Sequence, residues 1–142
     1  MIGFILSRAS LAMRQYVNRS FRESGLTEVS MGFIGVLLSL YGQDGQTITE
    51  LGEAVALEKS TMTGLLDRMV RAGLVTRETD SADRRALRIW LTERGRQVQP
   101  EIARVLEKSY RGLTRGIPPK NVEQIETLMA QFIENARDNH GG

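Results

Sequence analysis

Residues 50–75 read ELGEAVALEKSTMTGLLDRMVRAGLV, and residues 76–96 continue TRETDSADRRALRIWLTERGR. The first stretch predicts two short helices around a tight turn. Thr49 is placed to cap the first of them, ELGEAVA, and ALEK makes the turn. The second runs over about 60–72, with Met62, Leu65, Leu66, Met69 and Val70 spaced i, i+3, i+4, i+7 and i+8 on one side. Gly73 then stops it. After that the period changes to two. LVTRE and ALRIWLT are short and β-rich, and in the second Leu87, Ile89 and Leu91 alternate with Arg88 and Trp90. With TDSADRR between them they predict a β-hairpin. A short helix, a turn, an amphipathic helix and a hairpin are the parts of a winged helix-turn-helix.

Outward from this core the chain is helical. Residues 4–22 carry Ile5, Ala9, Ala12 and Tyr16 at helical spacing, with Gly25 as a stop. Thr27 is placed to cap a second helix, EVSMGFIGVLLSLYG, apolar nearly all round and therefore expected to be buried. On the other side a long helix is expected over about 93–115, then a break at GIPP and a last helix from Pro119. The expected fold is mainly α with a small β-hairpin wing. Three regions follow: an N-terminal dimerisation helix (1–25), a winged helix-turn-helix (26–96) and C-terminal dimerisation helices (97–142). The outer helices have apolar faces too wide for the small wing region to cover, and the simplest cover is a second copy of the chain.

Composition narrows the chemistry. The 142 residues make one domain, or a small domain with an oligomerisation appendage, of ordinary globular character, with no cysteine and a single histidine, His140, in the tail. Thiolate metal sites, cysteine nucleophiles and thiol redox sensing are excluded, and an imidazole base in a core site nearly so. No enzyme constellation, no metal site and no cofactor is expected. No apolar run reaches the ~20 residues of a membrane helix, and the N-terminus lacks a basic leader, so the expected compartment is the cytoplasm.

Net charge is only +2, but its distribution is uneven. Residues 1–22 hold Arg8, Arg14, Arg19 and Arg22 and no acid, and residues 68–96 hold eight arginines against four acids. The polar side of the second helix-turn-helix helix presents Ser60, Thr61, Thr63, Gly64, Arg68 and Arg71, with Lys59 just before. Short hydroxyl side chains at a helix N-terminus suit base edges in a major groove, where the helix dipole also favours nearby phosphate. Capping explains one of Ser60 and Thr61 and leaves Thr63 unaccounted for. At the hairpin tip Arg84 and Arg85 stand together, suited to a narrow, negative minor groove, with Asp83 placed to steer Arg85 by an ion pair. An aromatic-lined cleft for a small molecule is a further expectation, with Met13, Tyr16, Val17, Phe33 and Leu37 as its lining.

The stretch from Thr47 to Arg96 closely resembles MarR-type transcriptional regulators. The resemblance rests on the helix-turn-helix, the wing DSADRRALRIWLT and the LTERGR that opens the next helix, and GFILSRASLAMRQ and the GLT at 25–27 extend it. It implies a homodimer on a pseudo-palindromic double-stranded DNA operator, usually repressing, released by a small phenolic or aromatic acid. It also implies that Ser60, Thr61 and Thr63 read bases, that Arg68 and Arg71 lie toward phosphates, and that Asp83 and Arg85 form the wing pair. Gly64 stands where the family often has a larger polar residue, and Ser30 and Met31 replace a glutamine-aromatic pair. The rival reading is a helical protein–protein interaction module whose wing does not bind DNA.

Overall fold

The computed structural model describes residues 1–139; His140 lies outside the described residues. The chain divides into a unit running from Met1 to Ser109 and a second beginning at Tyr110. In the first, α1 (Ile2–Glu23) is followed by a 3-10 turn (Met31–Phe33), α2 (Ile34–Gly42), β1 (Gln46–Thr47), α3 (Ile48–Val55), α4 (Lys59–Arg71), β2 (Val75–Thr79), β3 (Leu87–Leu91), α5 (Glu93–Gln97) and most of α6 (Gln99–Leu113), whose last four residues belong to the second unit. The strands form an antiparallel sheet in the order β1-β3-β2, with Thr76 opposite Trp90 and Thr47 opposite Arg88. The core joins Val17 and Phe21 of α1, Leu37 and Leu40 of α2, Leu51 of α3, Met62, Leu66 and Met69 of α4, Ile89 of β3 and Ile102 of α6, all nearly or wholly inaccessible.

Several sequence expectations change on folding. The second helix does not start after Thr27. Residues 26–30 are irregular, and the chain enters α2 through the 3-10 turn, whose Met31 N–H donates to Asn18 Oδ1 of α1 at 2.7 Å. A cap from another helix replaces the local one. The cap of α3 is Thr47, not Thr49. Thr47 accepts from Glu50 N–H at 3.2 Å while Glu50 accepts from Thr47 N–H at 3.0 Å, a reciprocal capping box. Gln46 and Thr47 also form a strand where the glycines at 42 and 45 suggest only a loop. The long helix at 93 is interrupted at Val98, before Pro100, because proline supplies no N–H to the turn behind it.

Three apolar residues expected inside lie outside, and Leu38 of α2 is the first, at 56% exposed. Val70 is at the outer edge of the α4 stripe, and Leu87 is 41% exposed although it shares a face with Ile89 and Leu91. Burial falls away along both strands toward the turn, so the inward face of the hairpin loses cover there. Trp90 covers Gly45, where any Cβ would collide with the indole.

The LTERG segment fixes the end of the sheet to the next helix. Thr92 caps α5 by accepting from Gly95 N–H at 2.9 Å, and its hydroxyl donates to the Gly73 carbonyl at 2.6 Å. Gly95 lies against the Leu74 carbonyl so closely that a Cβ there would overlap it. The Gly95 carbonyl in turn accepts from the Tyr41 hydroxyl at 2.7 Å. Burial pushes the Tyr41 phenol up to about 12. Asp44 adds a second tie: Oδ1 accepts from Leu91 N–H at 2.9 Å and Oδ2 pairs with Arg96 at 2.9 Å.

In the second unit Gly116 takes φ +83 and Pro119 opens α7 (Pro119–Asp138). No α7 residue is buried, and Ile125, Leu128, Phe132 and Ile133 are about half exposed or more.

Candidate nucleic-acid interface

The local sequence builds α4 to present its N-terminus. Ala56 adopts the left-handed conformation at φ 56, which ends α3 and turns the chain, and Glu58 occupies the N-cap position in extended geometry without a side-chain cap bond. Ser60 and Thr61 are therefore inside the first turn and do not cap the helix. Both are exposed, and their hydroxyls are unengaged among the described residues. Thr63 is exposed one turn on, and its hydroxyl donates to the Lys59 carbonyl at 3.0 Å. That bond uses the proton and leaves the oxygen as an acceptor.

Gly64 has open space where a Cβ would stand, so packing does not demand glycine; it leaves a flat place on the helix surface. Arg68 and Arg71 continue the same side and are exposed, with no side-chain partner among the described residues. Asp67 is engaged differently: it pairs with Arg77 and clips α4 to β2. Of the arginines near this helix, Arg77 is thus neutralised while Arg68 and Arg71 keep their charge free.

The wing tip is a closed turn. Asp80 N–H donates to the Ala86 carbonyl at 2.9 Å and Ala86 N–H to the Asp83 carbonyl at 3.0 Å. Asp80 Oδ1 accepts from Ala82 N–H at 2.8 Å. Asp83 forms no ion pair with Arg85. Its Oδ1 instead accepts from the Arg85 backbone N–H at 3.0 Å, a contact two residues away that needs no long side chain to be held in place. Arg84 and Arg85 are both exposed, with side chains free of partners among the described residues. Arg85 lines a shallow groove with Thr47, Thr49, Lys59 and Leu87, which brings the wing beside the start of α4.

Sequence reasoning missed the residues that hold this wing. Arg88 Nε donates to Asp80 Oδ2 at 2.7 Å, and its Nη1 donates to the Gly45 carbonyl at 2.8 Å. The Ala82 N–H and the Arg88 guanidinium hold the Asp80 carboxyl below the usual carboxylate range, and Asp80 raises Arg88 in return. Alternation placed Arg88 on the polar side of β3, but nothing in the sequence pairs it with a loop more than forty residues earlier.

The expected small-molecule lining is divided by folding. Val17, Phe33 and Leu37 are core residues, Met13 is half-buried, and Tyr16 is 42% exposed. Tyr16 lines a groove between α1 and α6 with Arg19, Ser20, Lys108 and Ser109. Ser109 is 1% exposed and its hydroxyl has no partner among the described residues.

Residues 29–87 match the model of the MarR family. The chain is similar to a MarR-family transcriptional regulator from Rhodococcus sp. RHA1, with 26% identity over 92% of this chain and 91% of that one, at a TM-score of 0.76. It is similar in fold to the transcriptional repressor CouR bound to a 23-mer DNA duplex, with 21% identity, 94% and 92% coverage and a TM-score of 0.82. A third similar structure is BpsR of Bordetella bronchiseptica, whose DNA binding is regulated by 6-hydroxynicotinic acid, with 22% identity, 93% and 92% coverage and a TM-score of 0.81. MarR-family proteins are transcription regulators. No helix among the described residues is long and apolar enough to cross a membrane. The family model is seated on the helix-turn-helix and most of the wing, and the winged-helix fold is matched along nearly the whole chain.

Proposed function

We propose that the chain is a sequence-specific double-stranded DNA-binding repressor that acts as a cytoplasmic homodimer on a pseudo-palindromic operator and is released by a small aromatic ligand. The observation that carries the reading is one surface. Ser60, Thr61 and Thr63 offer hydroxyls at the exposed start of α4, Arg68 and Arg71 follow as free cations, and Arg84 and Arg85 stand on the neighbouring wing. Lys59 adds a cation at the groove between them. Base-edge contacts specify a sequence and arginine contacts to phosphate position the protein on it. The repressor CouR on its DNA duplex supports this reading.

Dimerisation rests on the exposed apolar residues of α1 and α7. Ile2, Phe4, Ile5 and Leu11 lie open on α1, as do Leu128 and Phe132 on α7. With 1–25 and 97–142 as dimerising regions around the winged helix 26–96, the interface is expected to exceed ~2,000 Å² and to be obligate. Sedimentation at micromolar concentration then gives about twice 15.9 kDa. The effector reading rests on the groove at Tyr16, Arg19, Lys108 and Ser109, whose cations and buried hydroxyl suit an aromatic acid, and on the regulation of BpsR by such a compound.

Genomic footprinting supplies the operator, and mobility shifts on it and on random DNA test the surface. Thr63→Ala is expected to cost roughly 1–3 kcal/mol on the operator and little on random DNA. Arg85→Ala is expected to weaken both and to flatten the salt slope by about one unit. An unchanged slope removes the wing from the interface. Absence of any salt-sensitive binding leaves the protein–protein interaction module as the reading.

A further inference from the structure

Arg88 sits on the central strand of the sheet, between Thr47 on β1 and Glu78 on β2. Its guanidinium joins the wing turn to the loop before β1, a side-chain tie added to the pairing of β1 with β3. One end meets Asp80, where the wing turn begins; the other meets the Gly45 carbonyl in the loop between α2 and β1. That loop is itself anchored, since Asp44 binds Leu91 N–H and Arg96. Asp80 is equally committed, with Oδ1 on Ala82 N–H inside the tip and Oδ2 on Arg88. Both carboxylate oxygens are used, one to shape the tip and the other to tie it down.

We propose that Asp80 and Arg88 are positioning residues that set the stance of the wing, and with it the reach of Arg85 into DNA. The proposal rests on the DNA-binding reading above. A free two-stranded wing flexes about its base, and each conformer that misdirects Arg85 dilutes the binding-competent population. The fork of Arg88 suppresses that flexing because a planar guanidinium fixes two acceptors in a set relation. Neither residue needs to touch DNA for this.

The sign of one substitution separates this role from simple electrostatics. Asp80→Asn removes a negative charge from the wing, so charge alone predicts tighter DNA binding. A positioning role predicts the reverse. In asparagine one of these two positions becomes an NH2: with the oxygen kept on Ala82 N–H, a donor faces the Arg88 guanidinium and that bond is lost. Asp80→Asn is expected to weaken operator binding about threefold to tenfold, with an unchanged melting temperature. Arg88→Lys, which keeps the charge and loses the fork, is expected to behave alike. The loss caused by Arg85→Ala is expected to shrink in the Asp80→Asn background, because a misdirected arginine has less to lose.

Hydrogen exchange of the amides at 81–86, measured on the free protein, reads the wing without DNA. Faster exchange in Asp80→Asn, against no change in Arg85→Ala, supports the tie. If the parent protein does not bind DNA, the regulator reading fails, and unchanged exchange in Asp80→Asn overturns the tie separately. Tighter or equal operator binding by Asp80→Asn, or an Arg85→Ala effect of the same size in both backgrounds, overturns the positioning role.

Discussion

Replacing Gly95 by alanine perturbs the point where the sheet, α2 and α5 meet. Alanine is ordinarily the better helix residue by about 1 kcal/mol, so an exposed helical glycine gains from this change. Here the added Cβ would overlap the Leu74 carbonyl oxygen and lie 3.3 Å from Leu91 Cδ2. The Leu74 carbonyl cannot withdraw freely, because it accepts from Thr92 N–H at 3.0 Å at the start of β2. The first turn of α5 must move instead. Overpacking of this kind costs about 1–3 kcal/mol. Movement of α5 also strains the Tyr41 hydroxyl bond to the Gly95 carbonyl and the Thr92–Leu74 bond, each worth about 1 kcal/mol. Against the propensity gain, the net expectation is about 2–4 kcal/mol of destabilisation. For a chain of this size that lowers the melting temperature by roughly 5–15 °C. The assay is a calorimetric melt of parent and variant at one protein concentration, because the dimer proposed above would make the midpoint concentration-dependent. Tyr41→Phe, which removes a single bond, is the companion and should cost about 1 kcal/mol. A Gly95→Ala protein melting within 2 °C of the parent, on this ~ scale of effects, would refute the account of LTERG as a close-packed junction.

Ala56→Gly should stabilise the fold by about 0.5–1 kcal/mol, since the site is exposed and left-handed, where a Cβ is costly; urea titration reads the gain. Thr47→Ala should cost about 1 kcal/mol in the same titration through loss of the capping box, while Thr49→Ala should be close to neutral. Tyr41 sets a pH dependence. Its folded pKa of about 12 lies above the ordinary 10.0, so its contribution is complete below pH 10 and is lost as pH rises through 12. Melting temperatures taken across that window should fall less steeply for Tyr41→Phe than for the parent.

Much of the fold was legible because its signals are local and periodic. The i, i+3, i+4 stripe of Met62, Leu65, Leu66 and Met69 depends on helix geometry alone, and all four are buried. Gly25 and Gly73 announce their helix ends, and both take positive φ. The exposed row from Ser60 to Arg71 follows from that stripe by elimination, and so does the pair Arg84 and Arg85 at a hairpin tip. Tertiary structure decided what depends on partners distant in the chain. Asn18 caps the turn at Met31, Asp67 claims Arg77, and Arg88 joins Asp80 to Gly45; no periodicity encodes these meetings. The same holds for Leu87, whose alternation is correct but whose cover depends on how far the helices reach along the hairpin. Gly95 shows both kinds of information at once. Its place in LTERG is visible in the sequence, but the reason for glycine is a carbonyl oxygen twenty-one residues earlier, brought against it only when the sheet closes on α5.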